Sequence, residues 1–275
     1  MAEDNMIEKN KMMKEGNSPM GSKKGQVAIF VIIALAIVCI ILLVLLYPRI
    51  KISVAPEIFN PEEFLRSCIE GEVKERINIL ASHGGYENPT GYIIYKGEKI
   101  KYLCYIKGYY KTCVVQEPMI KSVMERELER ALKTRINTCA ANLKSEYERR
   151  GFSVNMGAVN SDVEIAMDKI KVNFVVPMKI SKGETTKTFE KFSVEIKSKM
   201  YDLLMITTSI IDFESTYGDS EITLYLQYYP NLKIEKVLYD GSRIYNVSDV
   251  TTGESFVFAS RSLVWPPGYG VVDVA

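Results

Sequence analysis

Residues 27–47 read VAIFVIIALAIVCIILLVLLY, a run that carries no charged side chain. At a rise of about 1.5 Å per residue, a helix of this length spans roughly 30 Å, the thickness of a bilayer core. A cleavable secretory signal has a shorter apolar stretch and a small-residue cleavage site behind it. Here Tyr47, Pro48 and Arg49 follow instead. The run therefore predicts a membrane-spanning helix over 26–48 that divides the chain into a short tail and a long domain.

Orientation follows from basic residues close to the span. Lys11, Lys14, Lys23 and Lys24 precede it, and Arg49 and Lys51 follow it. This modest asymmetry predicts a cytoplasmic N-terminus and a C-terminal domain on the extracytoplasmic side of the cell membrane. Cysteine usage points the same way. Cys39 lies in the apolar run, and Cys68, Cys104, Cys113 and Cys139 all follow it. An even number of cysteines in an exported domain suggests two disulfides, and four cysteines allow three pairings.

The chain holds 35 Lys and Arg against 34 Asp and Glu. Five of the bases and four of the acids precede Arg49, so the exported part is balanced in charge. That removes the basic footprint of a nucleic-acid binder. The expected partners are the lipid bilayer and other envelope proteins, or further copies of the chain.

Residues 1–25 are polar and rich in Met, Lys and Glu, and read as a disordered tail. Residues 49–59 read as a juxtamembrane linker. Asn60-Pro61-Glu62-Glu63 is a helix start, with a capping Asn, Pro at the first helical position and an acid where a capping box needs one. The stripe Leu65, Ile69, Val73, Ile77, Leu80 then repeats at helical spacing up to His83-Gly84-Gly85. Strand-like stretches follow at 92–95, 100–106 and 109–115, with turns at Lys96-Gly97 and Lys107-Gly108. A long helix is expected over 118–149, striped by Met124, Leu128, Leu132, Ile136, Cys139, Leu143 and Tyr147.

Beyond Gly151, strands are expected at 152–156, 161–167, 169–180 and 188–198, and then a helix over 199–213. Further strands are expected near 221–228, 232–239, 242–246 and 255–260, with hairpin turns at Lys182-Gly183 and Asp240-Gly241. Trp265-Pro266-Pro267-Gly268 reads as irregular. The fold class is α+β. A helical part with a disulfide-linked hairpin occupies 60–150, and a mostly antiparallel β part with one helix occupies 151–275. Sheet edges need cover, and the long helix is the element best placed to give it.

Cys104 and Cys113 flank the Lys107-Gly108 turn, where a hairpin could bring them face to face. Cys68 and Cys139 lie on the apolar stripes of two helices, and a bridge between them would lock the pair. The favoured pairing is 104–113 with 68–139; the alternatives are other disulfide pairings and four reduced thiols. No CxxC occurs, and the spacing matches no common zinc pattern.

His83 is the only histidine. His-Gly-Gly is also found in oxyanion loops of some esterases, but no GxSxG accompanies it here, and the helix-end reading is simpler. Phosphate loops and dinucleotide fingerprints are absent. No catalytic, cofactor-binding or metal-ligating residue is therefore expected, and no cofactor. Asn246-Val247-Ser248 is a possible glycosylation acceptor. Of 17 tyrosines, Tyr92, Tyr95, Tyr102, Tyr105, Tyr109 and Tyr110 cluster in the first β region and Tyr225, Tyr228 and Tyr229 in the second. Tyrosine suits both strands and binding surfaces.

Lys23-Lys24-Gly25-Gln26 ahead of the apolar run resembles the class III, prepilin-like signal of archaeal surface proteins. The resemblance implies cleavage between Gly25 and Gln26, with the apolar helix kept as an anchor or a filament core. Prepilins usually carry Glu at the fifth mature position, which is Phe30 here. With its Lys-Gly-Gln-Val-Ala-Ile-Phe start, its Cys-bearing helix, its Gly-Gly-Tyr turn and its Cys-bearing hairpin, the chain also resembles membrane-anchored proteins of small-genome archaea.

These readings favour a single-pass envelope protein with a structural or protein-binding exported domain. The alternatives are a type IV pilin-like subunit, and a membrane-tethered enzyme such as a glycan hydrolase acting through paired carboxylates.

Overall fold

The computed structural model describes residues 23–46 and 59–264, and side chains in the first of these stretches only from Phe30 to Leu42. The tail expected at 1–25 therefore falls outside the described residues up to residue 22. So do the linker up to residue 58 and the Trp265–Gly268 segment.

The chain divides into two compact units, Met1–Ile58 and Phe59–Ala275. In the first, α1 (Lys23–Leu46) is an uninterrupted helix, as expected from an unbroken run of apolar side chains. Every described side chain from Phe30 to Leu42 is exposed, Cys39 among them. Among the residues whose side chains are described, which take in only Phe30 to Leu42 of α1, no helix is long and apolar enough to cross a membrane. The transmembrane span expected at 26–48 is thus not established by the described part of α1. The Gly25–Gln26 junction lies in the first turn of α1 rather than ahead of it.

The second unit is α+β. Its elements are α2 (Pro61–Ser82), β1 (Tyr92–Tyr95), β2 (Glu98–Tyr105), β3 (Val114–Val115), α3 (Ile120–Arg149), β4 (Ser153–Met156), β5 (Asn160–Ala166), β6 (Lys169–Lys182), β7 (Thr185–Lys197), α4 (Met200–Tyr217), α5 (Thr223–Tyr228), β8 (Leu232–Tyr239), β9 (Ser242–Asp249) and β10 (Ser255–Arg261). The Asn60 side chain accepts from the backbone N–H of Glu62 and Glu63 and starts α2. All five residues of the predicted α2 stripe are buried, as are all seven of the α3 stripe.

Two sheets enclose a layer of helices. The larger runs β1-β2-β10-β9-β8, with β3 also on β2; the smaller runs β4-β6-β5, with β7 on the other side of β6. All pairs are antiparallel except β2 with β10. That one parallel pair splices the early hairpin into a sheet made by the end of the domain. α2 packs on β7 of one sheet and β10 of the other, and α4 touches both sheets as well. One continuous core therefore takes Leu65, Leu103 and Leu128 from 60–150, and Phe174, Leu204 and Phe256 from 151–275. The boundary expected at 150 does not separate two cores. α3 covers the β5 edge, where the Glu125 carboxylate accepts from the Ile165 N–H at 2.8 Å.

The outer face of the larger sheet has its own small cluster: Ile93, Ile100, Tyr102, Ile244 and Ala259. β1 and β8 stand at opposite ends of the strand order, yet the rings of Tyr95 and Tyr239 meet edge to face at 5.1 Å. The sheet curls until its two edges touch through side chains, as strong right-handed twist allows.

Two expected strands fail. Only Val114–Val115 of 109–115 is a strand; Lys111 forms a lone bridge to Leu263, and Tyr110 has positive φ, which breaks the ladder. The strand expected near 221–228 is the helix α5. Its alternation of Leu and Tyr imitates a strand, but Glu221 accepts from both the N–H and the hydroxyl of Thr223 and nucleates a helical turn.

Candidate interaction surface

The sulfurs of Cys68 and Cys139 stand 2.07 Å apart, and those of Cys104 and Cys113 stand 2.05 Å apart. These are the two pairs singled out from the sequence. The first staples α2 to α3 beside a second tie, in which the Arg135 guanidinium donates twice to the Cys68 carbonyl. The second is not a bridge between opposed hairpin residues. Cys104 faces Val115 in the ladder, and Cys113 lies just outside β3.

α4 is anchored from its inner face. Glu214 is fully buried, at 0% exposure. Its carboxylate accepts from the Ser260 hydroxyl at 3.0 Å, the Ser220 N–H at 3.0 Å and the Tyr245 phenol, and Arg243 Nη1 lies 3.5 Å away. Arg243 also pairs with Asp219 at 3.0 Å, and Lys236 pairs with Asp219 too. Burial pushes the Tyr245 phenol pKa up, and the neighbouring Glu214 charge adds to the rise. Gly218 ends α4 with φ 87°, and a Cβ there would run into the Val264 side chain. This network rigidly seats the helix end against β9 and β10.

The opposite face of α4 is open. Met205, Phe213 and Tyr217 are exposed, and the last two rings meet at a tilt with centroids 4.6 Å apart. α5 continues this apolar exposure. None of its residues is buried; Leu224, Leu226 and Tyr228 are exposed, Tyr228 at 76%. The Tyr225 hydroxyl bonds Ser209 of α4 at 2.7 Å, so α5 is held beside α4 without being covered. Concentrations of exposed apolar and aromatic groups on a rigid support mark interaction sites.

The other sequence candidates lie elsewhere. His83 caps the end of α2, with Nε2 3.0 Å from Glu98. Beside it, Gly84 packs so closely on Lys101 that a Cβ would lie 2.7 Å from the lysine Cβ. The nearly buried Lys101 ammonium donates to the Thr90 carbonyl at 2.7 Å and sits over the Tyr86 ring. This closes the loop after α2. Asn246 lies mid-strand in β9, and its amide donates to Glu235 at 3.2 Å.

Of the two tyrosine groups, Tyr102 and Tyr105 pack with the outer-sheet cluster, and Tyr228 and Tyr229 are exposed on and after α5. The sequence reading missed Glu214. The signal was a carboxylate on an otherwise apolar helical face, Leu203, Thr207, Ile210, Glu214. Compared with known proteins, the chain matches no protein-family model, no curated protein and no solved structure.

Proposed function

We propose that this chain is a membrane-anchored envelope protein whose exported, disulfide-braced domain binds another protein through the α4–α5 surface. The observation that carries the reading is the exposed apolar and tyrosine side chains of α5, set beside a helix that Glu214 locks in place. Tyrosine is a favoured anchor at protein interfaces because it offers large rigid area with a polar tip. The charge-free run 27–47 supports anchoring in the bilayer, and the two cysteine pairs support an oxidising compartment for the domain.

The test is photocrosslinking in native membranes, with a crosslinking residue placed at Tyr228 or, as control, at exposed Lys187 on β7. A discrete adduct from Tyr228 alone supports the reading. No adduct from Tyr228, or the same adducts from both positions, removes it.

A further inference from the structure

After β10 the chain is led to the end of α4. The Leu263 N–H donates to the Lys111 carbonyl at 3.2 Å and pins the segment. The Val264 side chain then fills the space beside Gly218 that a Cβ would need. Gly218 directly follows Tyr217, so Val264 stands one residue from the tilted Phe213–Tyr217 ring pair.

That pair ends an open stripe on α4. Met205, Ser209, Phe213 and Tyr217 recur at i, i+4 and share one face. α5 borders the stripe at Ser209, through the Tyr225 hydroxyl, and Tyr217 at the far end is 66% exposed. The sequence beyond Val264 runs Trp265-Pro266-Pro267. Three extended residues reach about 10 Å, and Phe213 lies about 7.5 Å along α4 from Gly218. Consecutive prolines favour the extended polyproline form, which docks on aromatic rings at little cost in ordering.

We propose that Trp265-Pro266-Pro267 docks on the Phe213 and Tyr217 rings of its own chain. The exposed pair is then a seat for the continuing chain, fixed in position because Val264 is already packed against Gly218. The inference rests on the reading of the α4–α5 face as a docking surface, and deepens it by giving the α4 end to the chain itself and leaving α5 to the partner.

Trp265 is the only tryptophan and reports on its own surroundings. The test follows quenching of its fluorescence by acrylamide, using the full chain in neutral detergent micelles. In wild type Trp265 is protected relative to the urea-unfolded chain. In Tyr217→Ser the quenching constant rises severalfold as the docked population falls. Tyr217→Phe keeps the ring and the protection, and Tyr228→Ser on α5 leaves quenching unchanged. Urea midpoints equal to that of wild type show that each variant is folded, and Phe213→Ser replaces Tyr217→Ser if that variant is not. Wild-type quenching as fast as in the unfolded chain would overturn the assignment. So would protection that survives Tyr217→Ser, which belongs to the micelle or another surface, or protection lost on dilution, which belongs to a second copy. The assay needs no partner: failure here with a persisting Tyr228 adduct removes the tail's seat alone, and loss of that adduct with Trp265 protected removes the partner surface alone.

Discussion

The Tyr245 phenol donates to the Glu214 carboxylate where neither side chain has any exposure. Removing the acceptor leaves Tyr245, Ser260 and the Ser220 N–H without their partner in a buried site. Breaking such a cluster costs roughly 3 kcal/mol, and deleting only the phenol hydroxyl costs about 1.5–3 kcal/mol. Glu214→Ala should therefore lower the urea midpoint at least as far as Tyr245→Phe does. The double variant should fall short of the sum, because the residues share one network. Additive losses would show that the contact does not couple them.

The two cysteine pairs close loops of very different length, with sequence separations of 71 and 9. Loop-closure entropy predicts about 4 kcal/mol for the longer loop and about 2.5 kcal/mol for the shorter. Cys68→Ser with Cys139→Ser should thus destabilise the domain more than Cys104→Ser with Cys113→Ser. Thermal melts of the two double variants check the order. The reverse order would mean that the short loop after β2 holds the parallel β2–β10 pair more strongly than entropy alone implies.

How much of this was legible beforehand depends on whether the signal was local. α2 and α3 were readable because Leu65 to Leu80 and Met124 to Tyr147 recur at helical spacing, and all of them are buried. The pairing of Cys68 with Cys139 follows from the same two stripes. α5 was misread because Thr223-Leu224-Tyr225-Leu226 alternates like a strand, while the Thr223 bonds to Glu221 and the Tyr225 bond to Ser209 that accompany its helix leave no periodic signal. The parallel pairing of β2 with β10 joins Tyr102 to Ala259, and nothing near either residue in the chain announces the other. The α4–α5 surface was half visible: Tyr228 and Tyr229 stood out as aromatic, but their exposure is a tertiary fact.

Alkaline pH should loosen the domain. Burial raises the phenol pKa of Tyr102, Tyr147 and Tyr245 above the ordinary value. In the unfolded chain these groups ionise at about pH 10. A pKa raised by folding contributes stability that is fully present below the unfolded pKa and is lost as pH climbs toward the folded one. The urea midpoint should therefore hold at neutral pH and decline above about pH 10. Absorbance of ionised tyrosine should show a late-titrating fraction that merges with the rest on unfolding. A single titration step at the ordinary pKa in the folded protein would contradict the burial of these rings.

Substitution on the α4–α5 surface should separate binding from folding. Tyr228 is exposed and makes no side-chain hydrogen bond among the described residues. Tyr228→Glu should therefore change stability by no more than about 0.5 kcal/mol. A buried anchor tyrosine at an interface is worth about 2 kcal/mol or more, so capture of the partner should fall at least roughly thirtyfold. Urea unfolding and quantitative capture from solubilised native membranes measure the two effects on the same samples. Unchanged capture would place the interface elsewhere on the domain.

The curl of the larger sheet can be tested through Tyr95 and Tyr239. An edge-to-face aromatic pair contributes about 0.5–1.5 kcal/mol beyond the area it buries. Tyr95→Leu and Tyr239→Leu each lose that contact, so the double variant should lose less than the sum by a similar amount. Tyr92 lies on the same strand as Tyr95, pairs with Lys101 in the ladder and has its ring near the Lys99 ammonium. The pair Tyr92→Leu with Tyr239→Leu should therefore be additive. Coupling confined to Tyr95 would show that the edges of β1 and β8 meet in solution. Without it, the sheet is open, and the Ile93, Ile100, Tyr102 and Ile244 cluster would be accessible to solvent or to a partner.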